Sequence, residues 1–180
     1  MSGTGMVAGW RARAATGAFL ASVGALPALA VDPMSVGTVT GLPIPRYVSL
    51  KPNDTPMREG PSKEHQIKWV FKRDGLPVEI TAEFENWRRV RDSEGSEGWI
   101  YHSRLLAKRT ALVAPWSKEA TLPLHDAAGD SNGLVAKLQP NVLTNIETCN
   151  GKWCRINVDG VRGWMKQDQL WGVYPGEVVK

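Results

Sequence analysis

Residues 149–165 read CNGKWCRINVDGVRGWM and contain two strong turn signals. Asn150-Gly151 and Asp159-Gly160 are both typical of tight hairpin turns. Between the two turns, apolar and polar side chains alternate from Cys154 to Val158, which is the period of a half-buried strand. The stretch therefore predicts short antiparallel strands joined by hairpins.

The same pattern occurs about 65 residues earlier in the chain. The matched segments are Met57-Arg58 with Leu124-His125, Val78 to Ile80 with Val142 to Ile146, Trp87-Arg88-Arg89-Val90 with Trp153-Cys154-Arg155-Ile156, Gly98-Trp99-Ile100 with Gly163-Trp164-Met165, and Leu105 with Leu170. Anchors in the same order at nearly constant separation indicate an internal repeat. A unit of this length with about five short strands predicts a small antiparallel barrel.

Further motifs extend the pattern over nearly the whole chain after residue 40. They are GLPIPRYVSL at 41–50, MREGPS at 57–62, GLPVEI at 75–80, ENWRRVRD at 85–92, EGWI at 97–100 and LWGVYPGE at 170–177. Together these motifs resemble the exported bacterial SH3-like domain proteins of the alphaproteobacterial, two-repeat type. The resemblance implies an all-β fold of two tandem SH3-like small antiparallel β-barrels after an N-terminal signal peptide. It also implies a binding role in the cell envelope, with peptidoglycan the usual ligand suggested for such domains.

One loop departs from the family pattern. The usual Val-Asn-x-Arg-x-Gly-Pro stretch appears in repeat one as TPMREGP at residues 55–61. Repeat two has LPLH at 122–125 and lacks both the Arg and the Gly-Pro. A ligand function tied to this loop is therefore better supported in repeat one than in repeat two.

The first 30 residues have the features of a secretory signal peptide. They contain no acidic residue, Arg11 and Arg13 form a basic region, residues 14–26 are apolar and small, and Ala28-Leu29-Ala30 fits a cleavage site. The alternative, an uncleaved membrane anchor, is disfavoured because the apolar stretch is short. We expect cleavage after Ala30 and a periplasmic mature form.

The predicted organisation follows from this cleavage site and the repeat. It comprises a signal peptide over 1–30, an N-terminal extension over 31–45, repeat one over 46–113 and repeat two over 114–180. Either Met1 or Met6 fits as the start residue. The segment from Ala107 to Thr121 is predicted to hold the last strand of repeat one and a short linker.

Export also decides how the two cysteines are interpreted. Cys149 and Cys154 are separated by four residues, and a hairpin loop of this length places them directly opposite each other, within bridging distance. An oxidising compartment then predicts a disulfide. Two cysteines without nearby histidines cannot complete a tetrahedral metal site, and no local motif supplies a base for a catalytic thiol.

Charge and motif content argue against several function classes. The net charge is +4, but Arg11 and Arg13 lie in the predicted signal peptide, so 20 basic and 18 acidic residues remain. So small a net charge does not predict nucleic-acid binding. No apolar run long enough to span a membrane follows residue 30, so the sequence predicts no membrane span there. His65, His102 and His125 lack metal-ligand spacing, and phosphate loops and nucleophile elbows are absent from the sequence. We therefore expect no cofactor, no metal and no enzyme activity.

The candidate ligand-binding residues lie on one predicted face of the repeats. Trp153, Arg155 and Asn157 alternate with the apolar side chains of their strand, so they are predicted to point away from the core. By the repeat alignment, Trp87, Arg89 and Arg91 occupy the same face in repeat one, and Arg58 is a further candidate for binding carboxylates. A tryptophan beside arginines can stack on a ligand, but packing of Trp87 and Trp153 against a loop or the other repeat is an equal alternative.

Four other aromatic residues are given structural roles. Trp99 and Trp164 each follow a glycine and are predicted to close the barrels. Trp171 and Tyr174 are predicted to clamp the C-terminus onto repeat two.

The leading functional hypothesis is a non-catalytic periplasmic module that binds peptidoglycan or a cell-envelope peptide. The alternative is an adaptor that binds another exported protein through strand edges or the tryptophan faces. A small hydrolase is the least favoured hypothesis.

Overall fold

The computed structural model describes Met1 and residues 35–180, so the predicted signal peptide and its cleavage site lie outside the described residues. Residues 35–180 form short antiparallel strands and two 3-10 turns. This confirms the all-β prediction. None of the helical segments in this range has the length and apolar composition needed to cross a membrane.

A small hairpin precedes the first barrel. It consists of β1 (Ser35–Val36) and β2 (Pro43–Ile44), which pair antiparallel. The strands of repeat one are β3 (Arg46–Leu50), β4 (Thr55–Arg58), β5 (Ile67–Phe71), β6 (Pro77–Phe84), β7 (Trp87–Arg91), β8 (Glu97–Tyr101) and β9 (Leu105–Leu106). The strands of repeat two are β10 (Thr110–Val113), β11 (Leu122–His125), β12 (Leu134–Leu138), β13 (Leu143–Asn150), β14 (Trp153–Val158), β15 (Val161–Lys166), β16 (Leu170–Trp171) and β17 (Val178–Val179).

The two repeats have the same strand order. The first sheet runs β5-β4-β8-β7-β6-β3-β9, and the second runs β12-β11-β15-β14-β13-β10-β16, with β17 added beside β13. The 3-10 turn His102–Arg104 comes directly before β9, and the 3-10 turn Gln167–Gln169 comes directly before the equivalent strand β16. Every strand of repeat one therefore has a counterpart in repeat two, which confirms the internal repeat.

One predicted boundary is wrong. The last strand of repeat one was expected between Ala107 and Thr121, with the repeats meeting after residue 113. Thr110–Val113 instead pairs with β13 and β16 and is the first strand of the second sheet. Repeat one ends at β9, which pairs with β3, and only residues 107–109 connect the two sheets. The pairing partners lie 30 to 60 residues away along the chain, so the local sequence could not assign this strand.

Each barrel has its own apolar core. In repeat two Cys154 and Ile156 are fully buried, whereas Arg155 between them is exposed, as the alternating pattern predicted. The core of repeat one contains Val48, Leu50, Met57, Phe71, Val78, Ile80, Val90 and Ile100. The core of repeat two is formed by the equivalent strands, with the disulfide cysteines among its members.

Two equivalent glycines allow β4 and β11 to approach their neighbouring strands. A Cβ at Gly98 would lie 2.5 Å from Met57 Cγ and 2.7 Å from the Arg58 carbonyl oxygen. A Cβ at Gly163 would meet Leu124 Cγ at 2.6 Å and the His125 carbonyl oxygen at 2.7 Å. Strand glycines commonly mark such close backbone approach.

We therefore expect Gly98→Ala and Gly163→Ala each to lower the free energy of unfolding by about 1–3 kcal/mol, because the methyl group collides with backbone atoms. Urea unfolding of the two variants checks this. Gly95→Ala is the matched control, because a Cβ there meets nothing within 4 Å. Its positive φ of 86° makes some loss of stability expected at the control too, so a loss at Gly98 no larger than at Gly95 would contradict the packing argument.

A strap formed by residues 171–177 joins the two repeats. The ring of Tyr47 in repeat one contacts Trp171 edge-on at 5.3 Å between centroids and Tyr174 at 4.7 Å. The Tyr174 hydroxyl donates a hydrogen bond of 2.8 Å to the buried Glu79 carboxylate, which also accepts one of 2.8 Å from Arg91 Nε. Burial, followed by this hydrogen bond to Glu79, raises the pKa of Tyr174 above its ordinary range.

The predicted role of Trp171 and Tyr174 is therefore corrected. Both were expected to clamp the C-terminus onto repeat two, but their rings contact Tyr47 of repeat one. A second link is made at the seam by Thr110 Oγ1, which donates a 2.7 Å hydrogen bond to the Gly75 carbonyl oxygen. The strap thus fixes repeat two against repeat one.

Candidate ligand-binding groove

The outer face of each repeat is built from cross-strand pairs on the two central strands. In repeat one the pairs are Trp87 with Tyr101, Arg89 with Trp99, and Arg91 with Glu97. In repeat two they are Trp153 with Lys166, Arg155 with Trp164, and Asn157 with Arg162. The predicted face assignment is correct, but Trp99 and Trp164 also lie on this face rather than closing the barrels. Their neighbours Ile100 and Met165 point into the cores.

Trp87 lies on the outer face but is not available to a ligand. Only 8% of the residue is exposed, and its ring packs edge-on against Tyr101 with 5.3 Å between centroids. The expectation of an open aromatic and cationic face at Trp87 is therefore wrong. The alternative, in which Trp87 packs against its neighbours, fits this arrangement.

Trp153 has a different environment, because its cross-strand neighbour is Lys166 instead of a tyrosine. Its ring is partly exposed and forms one wall of a groove of about 410 Å³. The groove is lined by Asp130, Gly151, Lys152, Trp153, Lys166, Gln167, Asp168, Pro175 and Gly176. The cross-strand neighbour of the tryptophan is thus Tyr101 in repeat one, where the tryptophan is buried, and Lys166 in repeat two, where the tryptophan borders an open groove.

Charged groups of both signs surround the Trp153 ring. Lys166 Nζ lies 5.8 Å from the ring centroid, close enough for a cation–π contact, and 2.7 Å from the Asp130 carboxylate. The hydrogen bond to Asp130 raises the pKa of Lys166. On the other side, His125 packs edge-on against the indole at 5.7 Å.

The groove wall is held by a closed hairpin. Asn150 Oδ1 accepts hydrogen bonds from the backbone amides of Lys152 at 3.0 Å and Trp153 at 2.8 Å. Gly151 adopts a positive φ of 93°, which a side chain would make unfavourable. Cys149 and Cys154 form a disulfide across the base of this loop, with 4.1 Å between their Cα atoms. The disulfide prediction is confirmed. The bond joins the two strands of the hairpin at Cys154, the residue next to Trp153.

The predicted arginines already have partners within the protein. Arg89 pairs with Glu97 at 2.5 Å, Arg91 with Glu79, and Arg155 with Glu147 at 3.3 Å. Arg58 Nη1 donates a 2.6 Å hydrogen bond to the His65 carbonyl oxygen. A ligand at these side chains must compete with existing contacts, as it must at the Lys166–Asp130 pair. The Trp153 groove differs in that it also offers a partly exposed indole ring.

Of the predicted site residues, only Trp153 lines this groove. Sequence reasoning missed Lys166, Asp130 and Gln167, because their approach to Trp153 depends on strand pairing and on the fold of a loop. The repeat alignment contained one clue to this difference, because Lys166 of repeat two is equivalent in sequence to Tyr101 of repeat one. Within residues 35–180, no group of three or more His, Cys, Asp or Glu is arranged to hold a metal ion.

Solved structures similar to this chain include three NlpC or NlpC/P60 proteins. NlpC1 from Trichomonas vaginalis has 15% identity and a TM-score of 0.33, over 75% of this chain and 48% of that one. NlpC2 from the same organism has 15% identity and a TM-score of 0.32, over 71% and 48%. An NlpC/P60 family protein from Bacillus cereus ATCC 10987 has 9% identity and a TM-score of 0.31, over 69% and 55%. This chain thus spans about half the length of the structures it matches.

No curated protein matches this chain. The family model described as bacterial SH3 domain matches twice, at residues 51–106 and 118–172, and each match falls within one of the two sheets. Together the two matches cover more than half of the chain. The chain therefore belongs to the bacterial SH3 domain family, with two copies of the domain in tandem.

Proposed function

We propose that this protein is a non-catalytic binding module of the bacterial cell envelope, and that repeat two binds peptidoglycan in the groove beside Trp153. The observation that carries the proposal is the partly exposed indole with Lys166 close to its ring and Asp130 within 2.7 Å of that ammonium. SH3 domains are binding domains, and the groove beside Trp153 supports repeat two as the repeat that binds.

The groove chemistry suits the two parts of peptidoglycan. An indole face stacks on the apolar face of a sugar ring, and Lys152 and Lys166 can form charge-assisted hydrogen bonds with the carboxylates of its short peptides. Asp130 and Asp168 can accept hydrogen bonds from amide or hydroxyl groups of the same ligand. A groove with both charges therefore favours a polymer that is part sugar and part peptide.

We expect Trp153→Ala to weaken sedimentation of the protein with purified peptidoglycan about tenfold, because the mutation removes the stacking surface. The matched control is Trp116→Ala, since Trp116 is 57% exposed and does not line the groove. Melting temperatures of both variants show whether the fold is retained. Equal sedimentation of the two folded variants would contradict a site at Trp153.

We further propose that the protein acts in the periplasm. The disulfide between Cys149 and Cys154 requires an oxidising compartment to form and persist. The composition of residues 1–30 supports export by a signal peptide, with a mature form that begins at Val31.

A second candidate function is an adaptor for another exported protein. β5 lies at the end of the first sheet, and Ile67 and Trp69 on this strand are 51% and 59% exposed. A free strand edge with large apolar side chains can accept a strand from a partner. Wild-type protein that stays in the supernatant with peptidoglycan at moderate salt would favour this function.

A further inference from the structure

A second cavity lies at the seam between the two repeats. Its volume is about 320 Å³, and it shares no residue with the Trp153 groove. Its walls come from both sheets and consist of Ser49, Leu50, Pro52, Asp74, Gly75, Leu106, Lys108, Thr110, Leu143, Thr144, Asn145, Asn157 and Asp159. Ligand pockets are frequent at such interfaces between domains.

One wall of this cavity contains a buried hydroxyl group that has no hydrogen-bond partner in the described part of the chain. Ser49 is fully buried on β3, and its Oγ has no hydrogen-bond partner among the described residues. The other hydroxyls of the cavity are satisfied, since Thr110 donates to the Gly75 carbonyl and Thr144 to the Asn157 carbonyl. Because an unpaired buried polar atom costs free energy, a ligand that bonds to Ser49 would recover that cost.

On the other walls of the cavity, further side-chain polar atoms have no hydrogen-bond partner among residues 35–180. Asp74 uses Oδ1 to accept the Asn53 amide at 3.1 Å, which leaves Oδ2 without a hydrogen bond among residues 35–180. The side chains of Asn145 and Asp159 make no hydrogen bond within the same range. Carboxylate and amide groups of this kind can each bond to neighbouring hydroxyls of a polyol.

The apolar part of the lining is aliphatic. Leu106 is 37% exposed and Leu143 is partly exposed, so both present methyl groups to the cavity. A cavity with aliphatic groups and several open acceptors fits a molecule with C–H faces and a rim of hydroxyl groups. Its volume is at the lower end for ligand pockets, which limits the ligand to a small group.

We propose that the seam cavity is a second binding site, and that its ligand is a single sugar unit. The sugar hydroxyls bond to Ser49, Asn145 and Asp159, and the ring lies against Leu106 and Leu143. This site is independent of the proposed groove, because it is built from different residues and uses no aromatic ring.

The test is an amide chemical-shift titration of the purified protein with N-acetylglucosamine up to about 10 mM, a range suited to weak binding. We expect chemical-shift changes at Gly75, Asn145 and Asp159. The affinity derived from them should fall at least about tenfold in Asn145→Leu and in Asp159→Ala and stay unchanged in Glu119→Ala. Glu119 is exposed and lines neither the seam cavity nor the Trp153 groove, so it is the matched acidic control. The Trp153 indole amide reports separately on that groove.

The Ser49→Ala variant tests whether the Ser49 hydroxyl bonds to the sugar or only lies unpaired in the cavity wall. If Ser49 bonds to the sugar, the variant keeps its fold and its sugar affinity falls. Unchanged affinity in this variant, no shifts at the seam, or shifts confined to Trp153 would each overturn the proposal. Loss of peptidoglycan binding in Trp153→Ala would leave the seam titration unaffected, so failure of either proposal can be recognised by itself.

Discussion

Replacing Glu83 by alanine is expected to lower the free energy of unfolding by about 3–5 kcal/mol, the cost of leaving buried cations without their partner. The Glu83 side chain is 0% exposed. Its carboxylate accepts hydrogen bonds from the backbone amides of Val39 and Thr40, from the Thr40 hydroxyl, and from Arg46 at 2.7 Å. Arg88, also buried, lies 3.5 Å away. One side chain thus fastens the β1–β2 hairpin to repeat one.

Acid titration gives this prediction a second readout. Burial alone would raise the pKa of the Glu83 carboxyl, but the hydrogen bonds from Thr40, Arg46 and the two backbone amides outweigh burial and lower it to about 2. A lowered folded-state pKa contributes stability that is present above the unfolded value, about 4.3, and is lost as the pH falls toward 2.

Urea unfolding of Glu83→Ala and Glu83→Gln between pH 7 and pH 2 checks both statements. We expect the wild type to lose stability over this range more steeply than Glu83→Gln. Glu94→Gln is the control, since Glu94 lies in an exposed turn. Parallel pH profiles for the wild type and Glu83→Gln would show that Glu83 does not carry the pH dependence.

Trp87→Ala is expected to lower the free energy of unfolding by about 3–5 kcal/mol, the range for truncating a buried aromatic side chain. The ring is buried against Tyr101, so its removal leaves a cavity on the outer face of repeat one. We expect the fraction that remains folded to sediment with peptidoglycan as the wild type does, because the proposed groove lies in repeat two.

Thermal and urea unfolding, with sedimentation measured below the melting temperature, separate Trp87 from Trp153. Trp87→Ala should change stability and leave binding unchanged, whereas Trp153→Ala should change binding more than stability. If Trp87→Ala weakened sedimentation while its melting temperature stayed at the wild-type value, Trp87 would be a ligand contact and the assignment to repeat two would be wrong.

The sequence patterns that were predicted correctly are local ones. Alternation from Cys154 to Val158, the glycine turns, and the spacing of Cys149 and Cys154 depend on residues within one hairpin, and the structure reproduces them. The repeat could be recognised because the same local patterns recur in order. Fold and disulfide were therefore accessible without long-range information.

The features that were missed depend on which strands become neighbours. The alignment made Trp87 and Trp153 equivalent, but Tyr101 covers one ring and Lys166 leaves the other partly open. Tyr174 was placed on repeat two because its partners Tyr47 and Glu79 lie far away along the chain. The seam cavity could not be foreseen for the same reason, since its walls come from both sheets.

The strap has a consequence for the order of events during folding. The strands of repeat one end at Leu106, yet the flank with Tyr47 and Glu79 is covered only when Trp171 and Tyr174 dock onto it. A chain in which the strap has not docked therefore carries a first barrel with an uncovered aromatic ring and one carboxylate oxygen that lacks its hydrogen bond. Such an exposed flank is a surface for misassembly or chaperone binding. We expect chains truncated before residue 171 to aggregate during refolding more readily than the full chain.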